Sequence, residues 1–141
     1  MNTKRFFTAG IVVFVYTFLF EFILHTLVLG GMYAENEHLL RQQDQSSIVY
    51  VLLMLLGFLI LSFGFCYIFA KGYENRGMAE GLRFGLLIGV TFAVSNALVE
   101  YSVFPIPGSW LWAWVVAYLI QWLVAGLIVA GIYKPAGSTA S

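Results

Sequence analysis

Charged side chains are scarce in this sequence: Asp, Glu, Lys and Arg together make up 10% of its 141 residues, whereas a soluble domain carries about a quarter. So few charges cannot cover a water-facing surface, and this excludes an ordinary soluble globular protein. The basic and acidic residues balance to a formal net charge of zero, so no strong field favours nucleic acid or an acidic partner. We therefore expect no nucleic-acid partner.

Cysteine and histidine are nearly absent as well. The single cysteine, Cys66, lies inside an apolar run and cannot form an internal disulfide, so it is interpreted as a small buried apolar residue. The sequence has no phosphate-binding glycine loop, nucleophile elbow, Cys-x-x-Cys pair or metalloprotease helix. We therefore predict that the protein is not an enzyme, and we predict no cofactor.

Apolar residues, in contrast, make up 61% of the chain and are gathered in four long blocks. A helix needs about 20 such residues to cross the hydrocarbon core. Strands of a membrane barrel would alternate apolar and polar residues, and these blocks do not. We predict an all-α fold in one membrane domain, residues 1–141. It is expected to be an antiparallel bundle of four transmembrane helices near 6–29, 48–70, 78–104 and 110–133, with an outer loop at 30–47 and an inner turn at 71–77.

The few charges indicate how the bundle is oriented. Four crossings place the two termini and the inner turn on one side, together with Lys4, Arg5, Lys71, Arg76, Arg83 and Lys134. Only Arg41 lies on the other side. Because loops rich in Lys and Arg stay in the cytoplasm, we predict cytoplasmic termini. Tryptophans and tyrosines near both ends of the blocks are interpreted as interface anchors.

The third block carries small residues at a strict four-residue interval: Gly81, Gly85, Gly89, Ala93 and Ala97. Such a face lets two helix backbones approach closely in a membrane. The fourth block offers a matching row, Ala113, Ala117, Gln121 and Ala125. We predict that the two rows face each other inside the bundle; the alternative is that the glycine row contacts another subunit.

Five ionisable or amide side chains lie well inside the blocks, where ionisable groups are costly and usually paired. They are Glu21 and His25 in the first block, Asn96 and Glu100 in the third, and Gln121 in the fourth. The first four lie at a similar height if the first and third helices touch. One interpretation is structural, with hydrogen bonds that fix helix register. Another is a proton or ion path, although the inner half of the bundle lacks ionisable residues.

A metal site is the third interpretation. Glu21, His25 and Glu100, with His38 reaching down from the outer loop, would supply nitrogen and carboxylate ligands for zinc, copper or iron. Two histidines are too few to form a recognised ligand motif, and His38 lies in a polar loop. The same shortage argues against haem, which needs axial ligands.

Two segments carry a family resemblance. Lys71 to Gly85 resembles the second cytoplasmic turn of small, uncharacterised four-helix bacterial membrane proteins, and His25 to Arg41 resembles the end of their first helix. The likeness implies four helices and a bacterial origin, and it implies no site because those families have no known function. Four-helix multidrug exporters also carry a glutamate in their first helix, but the long polar loop and charge bias here differ from theirs.

These observations predict a small accessory or scaffolding subunit of a larger complex in the bacterial inner membrane. Its partners would be membrane lipid and other membrane-protein subunits or further copies of the chain. The alternative is a proton- or ion-coupled transporter that uses Glu21, His25 and Glu100. A metal-binding membrane protein is the third possibility.

Overall fold

The protein is all-helical over the residues that its computed structural model describes, 1–40 and 48–134, with no strand among them. Four helices are long and apolar enough to cross a membrane: α1 (Thr3–Val28), α2 (Ile48–Lys71), α3 (Met78–Val103) and α4 (Gly108–Ile132). The prediction of an all-α fold with four membrane-length helices is confirmed. Residues 41–47 of the predicted outer loop and the tail 135–141 lie outside the described residues.

The helix ends differ from the predicted ones where capping outweighs hydropathy. Helix α1 begins at Thr3, before its apolar run, because the Asn2 side chain accepts a hydrogen bond from the Arg5 amide at 3.2 Å, a typical N-cap. Helix α4 begins at Gly108, directly after Pro107. Within the predicted outer loop, the described residues form a turn of helix at Gly30–Ala34 and a 3₁₀ turn at Glu37–Leu39.

Helix α4 packs against both α1 and α3, and α1 also packs against α2. At the α1–α2 contact, Gly10 lies against the ring of Phe63, and the buried hydroxyls of Thr17 and Ser62 are 3.2 Å apart. Helix α2 is otherwise largely exposed, with only four buried residues, as in a helix that faces lipid. Helix α4 is therefore the helix through which α1 and α3 are connected.

The small residues of α3 lie against α4. A methyl group added at Gly81 would come within 3.0 Å of the Gly126 carbonyl, and one added at Gly85 would come equally close to the Trp122 carbonyl. The facing row on α4 is therefore Leu119, Trp122, Gly126 and Ala130, not the predicted row of Ala113, Ala117, Gln121 and Ala125. Ala117, Gln121 and Ala125 are buried on the side that faces α1.

Aromatic rings close one end of the bundle, which we call the turn end because it holds residues 71–77. Phe65 and Phe69 of α2 contact Phe84 of α3 with ring centroids 4.8 and 5.3 Å apart. Tyr73 and Tyr133 meet at 5.6 Å. Tyr133 is only 2% exposed, so it is a core residue and not the interface anchor expected from the sequence. We call the opposite end, which holds residues 29–40, the loop end.

A buried carboxylate organises the turn itself. Glu80 is 5% exposed, and its two oxygens accept hydrogen bonds from the amides of Glu74 at 2.6 Å and Arg76 at 2.9 Å. The Arg83 guanidinium bonds to the Glu74 carboxylate at 2.6 Å, which lowers the pKa of that carboxyl below its usual range. These contacts fix the start of α3 beside the end of α2.

We predict that Gly85→Ala destabilises the protein by about 1–3 kcal/mol, because the new methyl group would overlap the α4 backbone. The measurement is the free energy of unfolding in detergent micelles. Gly57→Ala is the matched control, since nothing lies within 4 Å of a methyl group added there. That change should be neutral or slightly stabilising, as Ala is the better helix former. Equal stability of the two variants would contradict a tight α3–α4 contact.

Candidate functional site

The site is centred on Glu21 and His25, which lie one helical turn apart on α1. The His25 Nε2 atom is 2.9 Å from the Glu21 carboxylate. From the neighbouring helix α4, the Gln121 side-chain amide donates to the other Glu21 oxygen at 2.9 Å. Three of the five predicted polar residues are therefore joined directly, by an α1–α4 contact that the sequence did not indicate.

Two aromatic residues extend these contacts toward the loop end. The Tyr33 hydroxyl lies 2.7 Å from His25 Nδ1, and it accepts a hydrogen bond from the Trp114 indole N–H at 2.8 Å. The rings of His25 and Tyr33 are stacked with an interplanar angle of 12°. We call the connected side chains of Trp114, Tyr33, His25, Glu21 and Gln121 the polar series.

One arrangement of protons satisfies every group in the polar series. Tyr33 uses its lone pairs for the Trp114 N–H and donates its own proton to His25 Nδ1. The neutral imidazole then carries its proton on Nε2 and donates it to the Glu21 carboxylate. Burial raises the pKa of Tyr33 above its ordinary value, an effect that the Trp114 hydrogen bond partly opposes, so the hydroxyl keeps the proton that it donates.

Local helix geometry places these groups. Residues Leu24–Val28 form a π-helical turn, in which the Leu29 amide donates to the Leu24 carbonyl at 2.8 Å. Such turns are often found at functional sites, since the wider turn changes the direction of side chains. Here the chain resumes helical geometry at Gly30, and this carries Tyr33 back over His25.

The other two predicted residues, Asn96 and Glu100, lie beside the polar series on α3. They line a groove of about 200 Å³ together with Glu21 and Gln121. We call this the polar groove; its remaining walls are Leu61, Phe92, Ala93, Ala97, Tyr118 and Trp122. All four long helices contribute to it. Four members of the predicted cluster, all except His25, thus share one groove, and α4, which carries Gln121, packs against both of the helices that carry the other three.

Asn96 and Glu100 differ from the polar series in having no internal partner. Both side chains are exposed, and neither forms a hydrogen bond to another described residue. The Glu21 side chain, in contrast, is 15% exposed, and it contacts both His25 and Gln121 at hydrogen-bond distance. In the polar groove, the polar side chains on α1 and α4 therefore have hydrogen-bond partners, whereas those on α3 have none among the described residues. We call the α3 side the unsatisfied wall of the groove.

The polar series also borders two further grooves. One of about 350 Å³ opens between α1 and α2 along Glu21, His25 and Met54. The other, about 360 Å³, lies at the loop end between His25, Tyr33 and the Phe104–Ile106 segment. Toward the turn end the core is apolar, with Val13, Ala125 and Val129 fully buried. No polar path crosses that half of the described bundle.

The structure does not gather the residues proposed as metal ligands. Among the described residues there is no group of three or more His, Cys, Asp or Glu side chains able to hold a metal ion. His25 and Glu21 are together, but both His25 nitrogens face other partners. His38 is exposed in the 3₁₀ turn and joins no such group. The metal hypothesis therefore has no support in this geometry.

Sequence reasoning missed the aromatic members of the site. Trp114 was interpreted as an interface anchor and Tyr33 as part of a polar loop, yet both bond within the polar series. Tyr118 was missed too, and its hydroxyl lies 3.5 Å from His25 Nε2. The eight-residue spacing of His25 and Tyr33 would have indicated a contact only if helical structure continued past Gly30 and Gly31.

Comparisons of the chain with models of known protein families, with curated proteins and with solved structures give no match. The resemblance to small four-helix bacterial membrane proteins therefore stays a prediction. The functional argument below is made from the geometry of the chain alone.

We predict that Tyr33→Phe destabilises the protein by about 1–3 kcal/mol, because it leaves the Trp114 N–H and the His25 Nδ1 atom without their shared partner. Thermal unfolding in detergent is the measurement. Tyr67→Phe is the control, since the Tyr67 side chain is exposed and its ring contact with Phe6 is kept. A Tyr33→Phe protein as stable as the Tyr67→Phe protein would show that the polar series contributes nothing to folding.

Proposed function

We propose that this chain is a non-catalytic accessory or scaffolding subunit of a larger membrane-protein assembly. The observation that carries the proposal is the unsatisfied α3 wall of the polar groove. Asn96 lies about 10 Å from the loop end of α3, at 1.5 Å per residue, and so within the span. A polar side chain there usually faces the interior of a bundle and has a partner.

A partner polypeptide supplies what the chain itself does not. Beside Asn96 and Glu100, the groove rim exposes Phe92 at 54% and Leu61 at 45%. Lipid tails could cover those two apolar side chains, but they offer no hydrogen bond to the amide or the carboxylate. A neighbouring membrane helix can do both, which is why we favour a subunit over a lone membrane protein.

The alternative function is proton- or ion-coupled transport through Glu21 and His25. Its support is the continuous polar series, in which a second proton on His25 requires only that the Tyr33 hydroxyl turn. Transport across a single chain would still need a route through the apolar half that contains Val13, Ala125 and Val129. Because these buried apolar residues offer no polar route across the bundle, the accessory role is favoured over transport.

For the placement of the chain, we propose an antiparallel bundle in the bacterial inner membrane with both termini cytoplasmic. The α3–α4 contacts support the antiparallel order, since Gly81 meets Gly126 whereas Gly89 meets Leu119. The charge bias supports the orientation. Arg5 bonds to the Ile132 carbonyl at 3.4 Å, so the start of α1 and the end of α4 lie together at the end of the bundle that carries most of the described basic residues.

The first prediction of this proposal concerns assembly. The chain extracted from its native membrane in mild detergent should have a native mass larger than that of one chain. The double variant Asn96→Leu with Glu100→Leu should lower the yield of that assembly. Native mass spectrometry measures both. A monomeric protein, with proton flux in liposomes that Glu21→Gln abolishes, would overturn the accessory role in favour of transport.

The second prediction concerns orientation. In a Cys66→Ala background, a cysteine placed by Ser109→Cys should react with a membrane-impermeant maleimide on intact spheroplasts. A cysteine placed by Lys134→Cys should react only after the membrane is permeabilised. The unaltered chain is the control, because Cys66 is 1% exposed and should stay unlabelled. The reverse pattern would place the termini outside the cytoplasm.

A further inference from the structure

We infer that the polar groove receives a lysine or arginine side chain from a transmembrane helix of a different polypeptide. The inference rests on the proposed role as a subunit and names the chemistry of the partner. It depends on the charges that line the groove, on the volume of the groove and on where this chain keeps its own basic residues.

The groove walls are acidic without a compensating cation. Glu21 and Glu100 line them together with the two amides of Asn96 and Gln121. Glu21 accepts hydrogen bonds from His25 and Gln121 on its other side, but Glu100 has no partner among the described residues. Ionisable side chains in membrane spans usually have a partner, and a lysine or arginine is the partner that would balance the charge of Glu100.

The size and surface of the groove define how the cation enters. Its volume of about 200 Å³ equals about seven waters at ~30 Å³ each, enough for one long side chain but not for a helix. The partner helix would therefore lie across the exposed Leu61 and Phe92 and project a single side chain inward. An apolar stem can pack on Ala93 and Ala97 while the charged head reaches Glu100. The rings of Tyr118 and Trp122 lie in the same walls and can favour a cation through their faces.

No transmembrane helix of a second copy in the same orientation can supply this charge. The described lysines and arginines lie near the turn end, in or next to residues 4–5, 71–83 and 134. Arg83, on the same helix as Glu100, is about 25 Å away along the helix axis and already bonds to Glu74. His25 is at the right level, but its nitrogens face Tyr33 and Glu21. Arg41 lies between α1 and α2 in the sequence and outside all four long helices, so a transmembrane helix that donates the cation belongs to a different chain.

The test is photo-crosslinking of the full chain in its native membrane. A benzoylphenylalanine replaces Phe92 in the groove, or Ile11 on the exposed face of α1 as the positional control. The groove position should give an adduct with one membrane polypeptide, and mass spectrometry should locate the attachment in a transmembrane segment that contains Lys or Arg. The α1 position should not give that adduct.

Variants that change charge then distinguish an ion pair between Glu100 and the partner from simple proximity of the two chains. Glu100→Gln should lower the adduct yield about tenfold, the effect of losing one strong hydrogen-bonded pair. Glu35→Gln, at an exposed carboxylate of the loop end, should leave the yield unchanged. Glu100→Lys should abolish the adduct, and replacing the partner's basic residue by Glu should restore it. Since Glu100 makes no hydrogen bond within the described chain, the thermal stability of the Glu100→Gln protein should equal that of the wild type.

Three results would overturn the inference while leaving the subunit role intact: an adduct unaffected by Glu100→Gln, an adduct between two copies of this chain, or a crosslinked helix without a basic residue. A different result would remove the proposed function as well. It is the absence of any adduct from either position, combined with a native mass of one chain.

Discussion

A polar atom in hydrocarbon must find its hydrogen bond within protein, since the surrounding lipid has none to offer. In the described residues of this chain, every buried side-chain nitrogen and oxygen has such a partner. Gln121 is the residue on which that result depends most, because its amide reaches from α4 to Glu21 on α1 at 2.9 Å. Without it, the Glu21 carboxylate would keep only His25, and α1 and α4 would lose a side-chain hydrogen bond shorter than those that Tyr16 and Tyr118 make between the same helices.

The same constraint divides the bundle into two halves of different character. Near the turn end, ring contacts such as Phe65 to Trp122, with centroids 5.0 Å apart, fill the space between helices with apolar atoms. Near the loop end, the polar series replaces them, and three grooves reach Glu21 or His25. The turn-end half thus packs mainly through apolar and aromatic contacts, and the loop-end half holds the three grooves that border the polar series.

The four spans could be predicted from the sequence because they depend on one simple quantity, the length of each apolar run. The polar residues could be identified for a related reason, since each interrupts such a run. Which of them meet could not be predicted, as it depends on the rotation of each helix about its own axis. The row on α4 that faces Gly81 and Gly85 shows this: Trp122 and Gly126 lie there, whereas small residues alone suggested Gln121 and Ala125. Tyr33 was missed because its contact depends on a π turn, a backbone feature that hydropathy does not reveal.

The mutual contact of Gly81 and Gly126 also has a mechanical consequence. With backbones this close, α3 and α4 cannot slide or rotate against one another without breaking the fit of one ridge into the opposing groove. The two helices therefore move as one rigid unit. Helix α2 has no comparable contact along its loop-end half, where Gly57 has open space around it. Widening of the polar groove between Leu61 of α2 and Phe92 of α3 would therefore require α2 to move relative to the α3–α4 pair, with the aromatic contacts at the turn end as the fixed point.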